Sequence, residues 1–522
     1  MKRYKIFGLA VAGMLALNSC NSALDVNEKG VIPTAQYYQT DDESEKGITN
    51  VYSNLHALMS DYFMVKNCLS DDVYSGGRGM YENELNEYLF TADNEGITAL
   101  FTDYYNLIYS ANLIINHVNP DTPTKQRNVA EAKYFRGWAY FELVTLWGTA
   151  PLVLEDERSD YRVSNSTVEE LWNQVNSDLA DAVNSGALPS KTSVNDTDTP
   201  IRITKEAAQA MYGKALVFQG KYAEASQYLD AVINSGLYAM LQLDSDGYLD
   251  YNSYRYDNNS EVLLQINRLN DASNNNTEIQ CMWFGLPASN FIRDAQSTLP
   301  YYTESWGFCT SAKEALVKAF QDNAAKNGVD DIRYTTSLLS VDDICLRYNV
   351  KLMEGSYFED CCGYFVNKLM ALTENHISMT WAGWQQNTVL MRYAEVLLLA
   401  AESHLQSGDA AKALRYINVI REHAGEPLAT SVTLDDIKTE KRLELCDEAV
   451  RYQDITRWGD AYSLLKDQGK EIGYYGYNNG VLGLWYPIQQ AEAGYQQGRN
   501  ELLPFPQNEL NVNPNIIQNP GF

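Results

Sequence analysis

The sequence predicts a mainly α protein, an array of antiparallel helix pairs carrying one large, irregular, loop-rich insertion that forms the ligand face. Three observations predict it. Apolar residues recur at helical spacing in long segments on both sides of the chain's middle. Two of those segments are copies of one helix–turn–helix unit, and between them, over residues 241–387, the periodicity gives way to Asn-, Tyr- and Ser-rich sequence. Among 522 residues, nine Trp, 37 Tyr and 15 Phe supply ample surface to bury, which excludes disorder for most of the length. With 68 acidic against 40 basic side chains, the net charge of −28 excludes generic nucleic-acid binding, because phosphate neutralisation needs clustered Lys and Arg.

The elements follow in order. Lys2, Arg3 and Lys5 precede an apolar run over residues 6–17 that is too short to span a bilayer, and Asn18-Ser19-Cys20 follows it. Residues 1–19 are therefore a secretory leader, and the small residue before Cys20 marks that cysteine as a lipidated first residue of the mature chain. An ordinary signal peptide with a coincidental cysteine is the alternative. The polar stretch 20–47 is a tether, and residues 48–522 form a single domain: helical scaffold over 48–240 and 388–465, loop-rich segment over 241–387, and an ordered C-terminal cap over 466–522. Residues 130–147 carry Ala132, Phe135, Ala139, Tyr140, Leu143 and Leu146 at helical spacing and end at Gly148 with Pro151 beyond. Residues 168–183 are a second amphipathic helix, with Ser164 to Thr167 supplying candidate caps.

Residues 207–236 and 389–425 each read as helix, tight Gly turn, helix. Setting Gly220 against Gly408 pairs Ala225 with Ala413, Tyr228 with Tyr416 and Val232 with Ile420. Gly213, Gly220, Tyr222 and Ala225 fall at the small and aromatic positions of a tetratricopeptide repeat, which makes the scaffold tetratricopeptide-like. Within the insertion, residues 260–267 suit a short strand and 311–323 a helix. Setting Cys20 aside, seven cysteines remain, an odd number without C-x-x-C spacing. They are either buried free thiols or include one or two disulfides.

Several segments in order resemble the SusD/RagB family of outer-membrane glycan-binding lipoproteins. They are Tyr134-Phe135-Arg136-Gly137-Trp138 leading to Leu146-Trp147-Gly148, and Gly220-Lys221-Tyr222 through Gly236-Leu237-Tyr238. Later come Arg392-Tyr393-Ala394-Glu395, Ile417-Asn418-Val419-Ile420-Arg421, Arg451-Tyr452-Gln453-Asp454 through Trp458-Gly459, and the closing Asn519-Pro520-Gly521-Phe522. The resemblance implies a lipid-anchored, outward-facing outer-membrane protein that captures oligosaccharides and helps deliver them to a SusC-type TonB-dependent transporter. It implies no cofactor and no catalysis. Glu440-Lys441-Arg442 departs from the family pattern, and it falls in a structural helix. Arg392, Glu395, Arg442, Glu444, Arg451 and Asp454 are expected as internal salt links, and Trp138, Trp147 and Trp458 as core.

Sugar binding needs flat aromatic faces for the C–H face of a pyranose and amides or charged groups for its hydroxyls. The loops offer Trp283, Tyr301, Tyr302 and Trp306, then Trp381 and Trp384, and earlier Asp72, Tyr74 and Arg78 beside flexible glycines. For each, the competing role is a loop anchor packed against the body. Gly76-Gly77-x-Gly79 is not a phosphate loop, since no Lys-Ser or Lys-Thr follows. Asp244 to Asp250 lacks the register of a calcium loop, and the five histidines lack metal-ligand spacing. Two other readings stay open: an α-helical glycoside hydrolase, needing two carboxylates about 5–10 Å apart across a cleft, and a repeat scaffold that binds only protein.

Overall fold

Apolar stripes on successive helices are buried by stacking each helix on the next, and the stacking order follows the chain. The computed structural model describes residues 37–74, 81–156, 160–241, 254–268, 286–300, 311–368, 370, 372–377 and 384–522. The helices are α1 (Asp41–Cys68), α2 (Tyr81–Glu87), α3 (Glu95–His117), α4 (Pro123–Trp147), α5 (Val168–Asn184), α6 (Lys205–Phe218) and α7 (Tyr222–Ser235). In the insertion lie α8 (Glu314–Asn327), α9 (Ile332–Ser337) and α10 (Val341–Arg347). After it come α11 (Tyr393–Gln406), α12 (Ala410–His423), α13 (Leu434–Glu444), α14 (Arg451–Arg457), α15 (Ala461–Leu465) and α16 (Gln507–Val512). α1 packs on α3, α3 on α4, α4 on α5, α5 on α6 and α6 on α7; α7 then packs directly on α11, and α11 on α12. The array thus continues across the insertion as if the insertion were absent.

Local chemistry sets the boundaries. Thr40 and Thr167 each form a reciprocal capping box, with Glu43 and Glu170 respectively. The helix expected from residue 130 begins at Pro123, capped by Thr122, because its first turns are polar and carry no apolar period. α1 begins at Asp41, within the stretch assigned to the tether. Ser311 and Ala312, expected as helix, are a strand, and the helix starts at Glu314. Gly213 allows α6 and α7 to approach: a Cβ there would lie 2.6 Å from Leu229 Cγ.

The strands are β1 (Val73–Tyr74), β2 (Ala150–Pro151), β3 (Asn165–Ser166), β4 (Val262–Ile266), β5 (Phe291–Ile292), β6 (Ser311–Ala312), β7 (Leu338–Ser340), β8 (Lys351–Leu352), β9 (Tyr357–Phe358), β10 (Tyr364–Val366), β11 (Thr388–Arg392), β12 (Glu471–Asn478) and β13 (Val481–Gln489). They form sheets ordered β1-β6-β10-β7 and β13-β12-β9, and the pairs β4-β11, β2-β3 and β5-β8. The β4-β11 ladder closes the neck of the insertion, with Val262 opposite Arg392 and Ile266 opposite Thr388. The C-terminal cap contains a hairpin that periodicity alone does not announce. Its turn is Asn479-Gly480, with φ of 50° and 79°, the two positive values that a tight hairpin turn requires.

One large apolar core runs through the helical array, and Trp138 and Trp147 lie inside it. Two smaller cores serve the insertion, one around Leu286, Phe291, Phe358 and Phe365 and one around Ala312, Phe320, Leu443 and Cys446. The five cysteines among the described residues are free, and burial raises the Cys361 thiol to about 12.

Buried ion pairs join scaffold and insertion. Arg392 contacts Glu261 at 3.0 Å, Glu444 at 2.7 Å and Glu448 at 2.8 Å. Arg333 contacts Asp331, Glu426 and Glu440, and reaches Glu444 at 3.5 Å. Each residue of the Glu440-Lys441-Arg442 departure is paired: Glu440 with Arg333 and Arg421, Lys441 with Asp454, Arg442 with Asp71 and Asp72. Burial pushes the Glu444 carboxyl up, but Arg392 and Arg333 outweigh it and hold it at about 2.

Two expectations follow. Gly213→Val destabilises the fold by about 1–3 kcal/mol through overpacking against Leu229, read as a lower urea midpoint at unchanged slope. Because Glu444 titrates lower in the folded chain than its ordinary 4.5, its stabilisation is full above that value and is lost as pH falls towards about 2. Glu444→Gln removes one carboxylate partner from each of two buried arginines and costs about 1.5–3 kcal/mol at neutral pH. The gap to wild type narrows over that same acid window in urea unfolding run across pH.

Candidate functional site

The site is built from loop roots. β1 and β6 pair antiparallel, with Tyr74 opposite Ser311 and Val73 opposite Ala312. Segment 75–80 therefore leaves the body at the point where segment 301–310 returns to it. β6 also pairs with β10 through Phe365. Pro300, at the other root of 301–310, accepts a 2.7 Å hydrogen bond from the Thr373 backbone N–H. Thr373 lies just before His376 and Trp384, which bridge the ends of segment 378–383. Segment 269–285 ends at Leu286, which is buried with Leu372 and Phe365, and begins after Arg268, whose backbone N–H donates to Asn387 Oδ1 at 2.7 Å beside the β4-β11 ladder. Segments 75–80 and 301–310 thus adjoin one small sheet, 269–285 ends in the apolar core beside it, and 378–383 follows Leu372 and Thr373, which pack on that core and bond Pro300.

Arg78, Trp283, Tyr301, Tyr302, Trp306 and Trp381 are carried by these four segments and lie outside the described residues, as does Cys20. Asp72 is 1% exposed and pairs with Arg442 at 2.8 Å, while its neighbour Asp71 pairs with Arg442 and Arg451. Burial and the adjacent Asp71 push the Asp72 carboxyl up. Its place is that of a buried anchor and not of a hydroxyl partner for sugar. Trp384 is 4% exposed, packed edge-on against His376, and anchors its loop in the same way. The Lys313 ammonium completes the root, donating to the Ser70 carbonyl at 2.6 Å, and burial lowers its pKa to about 8.

Tyr74 is placed differently. It lines an open cleft of about 680 Å³ together with Glu314, Lys470, Tyr486, Gln489 and Gln490. The Tyr74 hydroxyl donates to Glu314 Oε2 and the Tyr486 hydroxyl to Oε1, both at 3.0 Å. Desolvation and the Glu314 charge raise the Tyr486 hydroxyl to about 12. The cleft thus offers aromatic edges, amides and both charge signs beside the loop roots, a chemistry that suits polyhydroxyl ligands. Tyr486, Gln489 and Gln490 escape a reading based on irregular segments because they belong to the C-terminal hairpin. The Asn479-Gly480 turn is the signal that points to it. Among the described residues, no cluster of three or more His, Cys, Asp or Glu is arranged to hold a metal ion.

The arrangement defines a class: a helical-repeat protein with a loop-rich insertion built on a small sheet. Two family models match the chain, the SusD family over residues 349–522 and "Starch-binding associating with outer membrane" over residues 24–216. A SusD-like protein of Formosa agariphila is 24% identical over the whole of both chains. One from Bacteroides ovatus is 23% identical over 87% of this chain and 82% of its own. Among solved structures, a laminarin-binding SusD-like protein covers 93% of this chain and 100% of its own, at TM-score 0.73 and 24% identity. Surface glycan-binding protein A from Bacteroides thetaiotaomicron, in complex with laminarihexaose, covers 92% of this chain and 99% of its own at TM-score 0.70 and 20% identity. The chain belongs to the SusD/RagB family.

The root geometry separates anchors from surface. Asp72→Ala removes one of the two carboxylates that pair with Arg442 and costs about 1.5–3 kcal/mol. Tyr486→Phe removes one exposed hydrogen bond and costs about 0.5–1.5 kcal/mol. Urea unfolding followed by Trp fluorescence ranks the two.

Proposed function

We propose that this protein is a cell-surface glycan-binding lipoprotein. It is anchored in the outer membrane through lipid on Cys20, captures oligosaccharides, and helps deliver them to a SusC-type TonB-dependent transporter without acting on them as an enzyme. The observation that carries this reading is that roots of four loops lie at the small β1-β6-β10-β7 sheet, at the apolar core beside it, or at residues bonded to them. Three of those loops bear Trp283, Tyr301, Tyr302, Trp306 and Trp381, and the fourth bears Arg78. Aromatic rings suit stacking on the C–H faces of sugar rings, and Tyr74 with the amides of the adjoining cleft offers groups for their hydroxyls. Glu314, the carboxylate between the two cleft tyrosines, has both oxygens engaged by hydroxyl donors, an arrangement suited to binding more than to proton transfer.

Two structural neighbours are described with laminarin or laminarihexaose, so a neutral β-glucan is the first ligand class to test. The formal charge of −28 favours the same class over polyanionic glycans. Shallow platforms bind weakly one at a time, and repeated contacts along a polymer raise the effective affinity. No helix among the described residues is long and apolar enough to cross a membrane.

The test is affinity electrophoresis and calorimetry of the mature chain against a panel of neutral polysaccharides. Wild type is expected to be retained selectively, and Trp283→Ala or Trp306→Ala to weaken binding about tenfold or more. Retention unchanged in both variants sinks the loop assignment, and silence across the panel sinks the glycan reading. For the anchor, wild type is expected in the detergent phase on partitioning and Cys20→Ala in the aqueous phase.

A further inference from the structure

The three-stranded sheet β9-β12-β13 presents an aromatic face that carries none of the candidate residues above. Register fixes which side chains share it. Tyr474 stands opposite Trp485, and Gly476 stands opposite both Gly483 and Tyr357, so these five residues lie on one face of the sheet. The other face carries Phe358, Tyr475 and Leu484, which pack into the two smaller cores. The first face is therefore the outer one, and Tyr357 is 54% exposed on it.

The glycines shape this face. The Trp485 indole lies against Gly483, where a Cβ would meet ring atoms at 3.6–3.8 Å, and its Nε1–H donates to the Gly476 carbonyl at 3.2 Å. The indole's only polar atom is thus turned into the sheet. At Gly476 a Cβ would meet Tyr357 Cα at 2.4 Å, so glycine is what lets β9 come close enough to bring Tyr357 alongside. Tyr357 and Tyr474 are parallel within 4°, with centroids 6.1 Å apart. Residues 357–358, 472–478 and 481–489 include no charged side chain, in a chain with 68 acidic residues. Exposed Asn478, on the same face, and Asn290, whose Nδ2 donates to the Tyr357 carbonyl at 3.4 Å, supply amides at its margin.

We propose that Tyr357, Tyr474 and Trp485 form a second carbohydrate-contact surface, one that takes neutral pyranose chains by stacking. The ligand class follows from the face itself: ring surfaces without charge, an indole N–H already satisfied, and amides at the edge match the apolar C–H faces and hydroxyl rims of uncharged sugars. The surface rests on the glycan reading above but shares no residue with the loop site. Its effect is to hold a polymer at two points, so it raises affinity for long chains and leaves short oligosaccharides unaffected.

The experiment runs the mature chain on gels containing laminarin or starch, and titrates laminarihexaose by calorimetry. Wild type, Tyr357→Ala/Trp485→Ala and Trp306→Ala are compared, with thermal melting followed for each. The double variant is expected to lose about threefold to tenfold in polymer affinity while its hexasaccharide affinity is unchanged. Wild-type retention by the double variant overturns the second surface and leaves the loop site standing if Trp306→Ala weakens binding. Wild type retained by neither polymer overturns both readings. If the double variant melts below the assay temperature, Trp485→Phe, which keeps a flat ring, is expected to bind, and Trp485→Gln to lose affinity. Equal retention of that pair overturns the proposal.

Discussion

The Glu444 carboxylate stands between Arg392 at 2.7 Å and Arg333 at 3.5 Å, in surroundings that admit almost no water. Arg392 belongs to the end of the β4-β11 ladder and Arg333 to α9, so one side chain of the scaffold grips the insertion at its neck and in its body. Charges so buried are costly to desolvate, and the arrangement is tolerable only because every partner is present together. That constraint makes the insertion's attachment all-or-none. It also explains why α13, a short and polar helix by composition, is charged on the sides it buries: Glu440, Lys441 and Glu444 are each about 2% exposed and each paired.

Stacking of α7 directly on α11 has a functional consequence. A repeat array is held by nearest-neighbour contacts, and here the array closes over the point from which the insertion emerges. The insertion is then free to vary without disturbing the core beneath it. What it must keep is the neck ladder, the ion pairs and the sheet in which its loops are rooted. The Asp71 and Asp72 pairs with Arg442 and Arg451 extend the same logic to the first loop, by tying the end of α1 to α13 and α14.

Much of the scaffold is legible in the sequence because helical periodicity and capping are local. The paired segments around Gly220 and Gly408 form the α6–α7 and α11–α12 hairpins, and Thr167 caps α5 as its spacing from Glu170 implies. Other features are written locally yet invisible to apolar periodicity. The start of α4 is marked by Thr122-Pro123, and the C-terminal hairpin by Asn479-Gly480 between alternating residues. The two-residue strands β1 and β6 could not be read at all, since a period of two needs more residues than they contain. Yet they place the candidate site.

By itself, then, the sequence determined the helical repeats, their capped ends, the position of the irregular segment and the aromatic wealth of its loops, because each depends on residues close together in the chain. Tertiary structure alone decided which loop residues are anchors and which line a surface. Asp72 and Tyr74 sit two positions apart, either side of the start of β1. Both are buried, but Asp72 meets Arg442, 370 residues away, whereas Tyr74 keeps an edge on a cleft whose far wall is the C-terminal hairpin. Burial is a property of partners brought together from distant parts of the chain, and no local pattern encodes it.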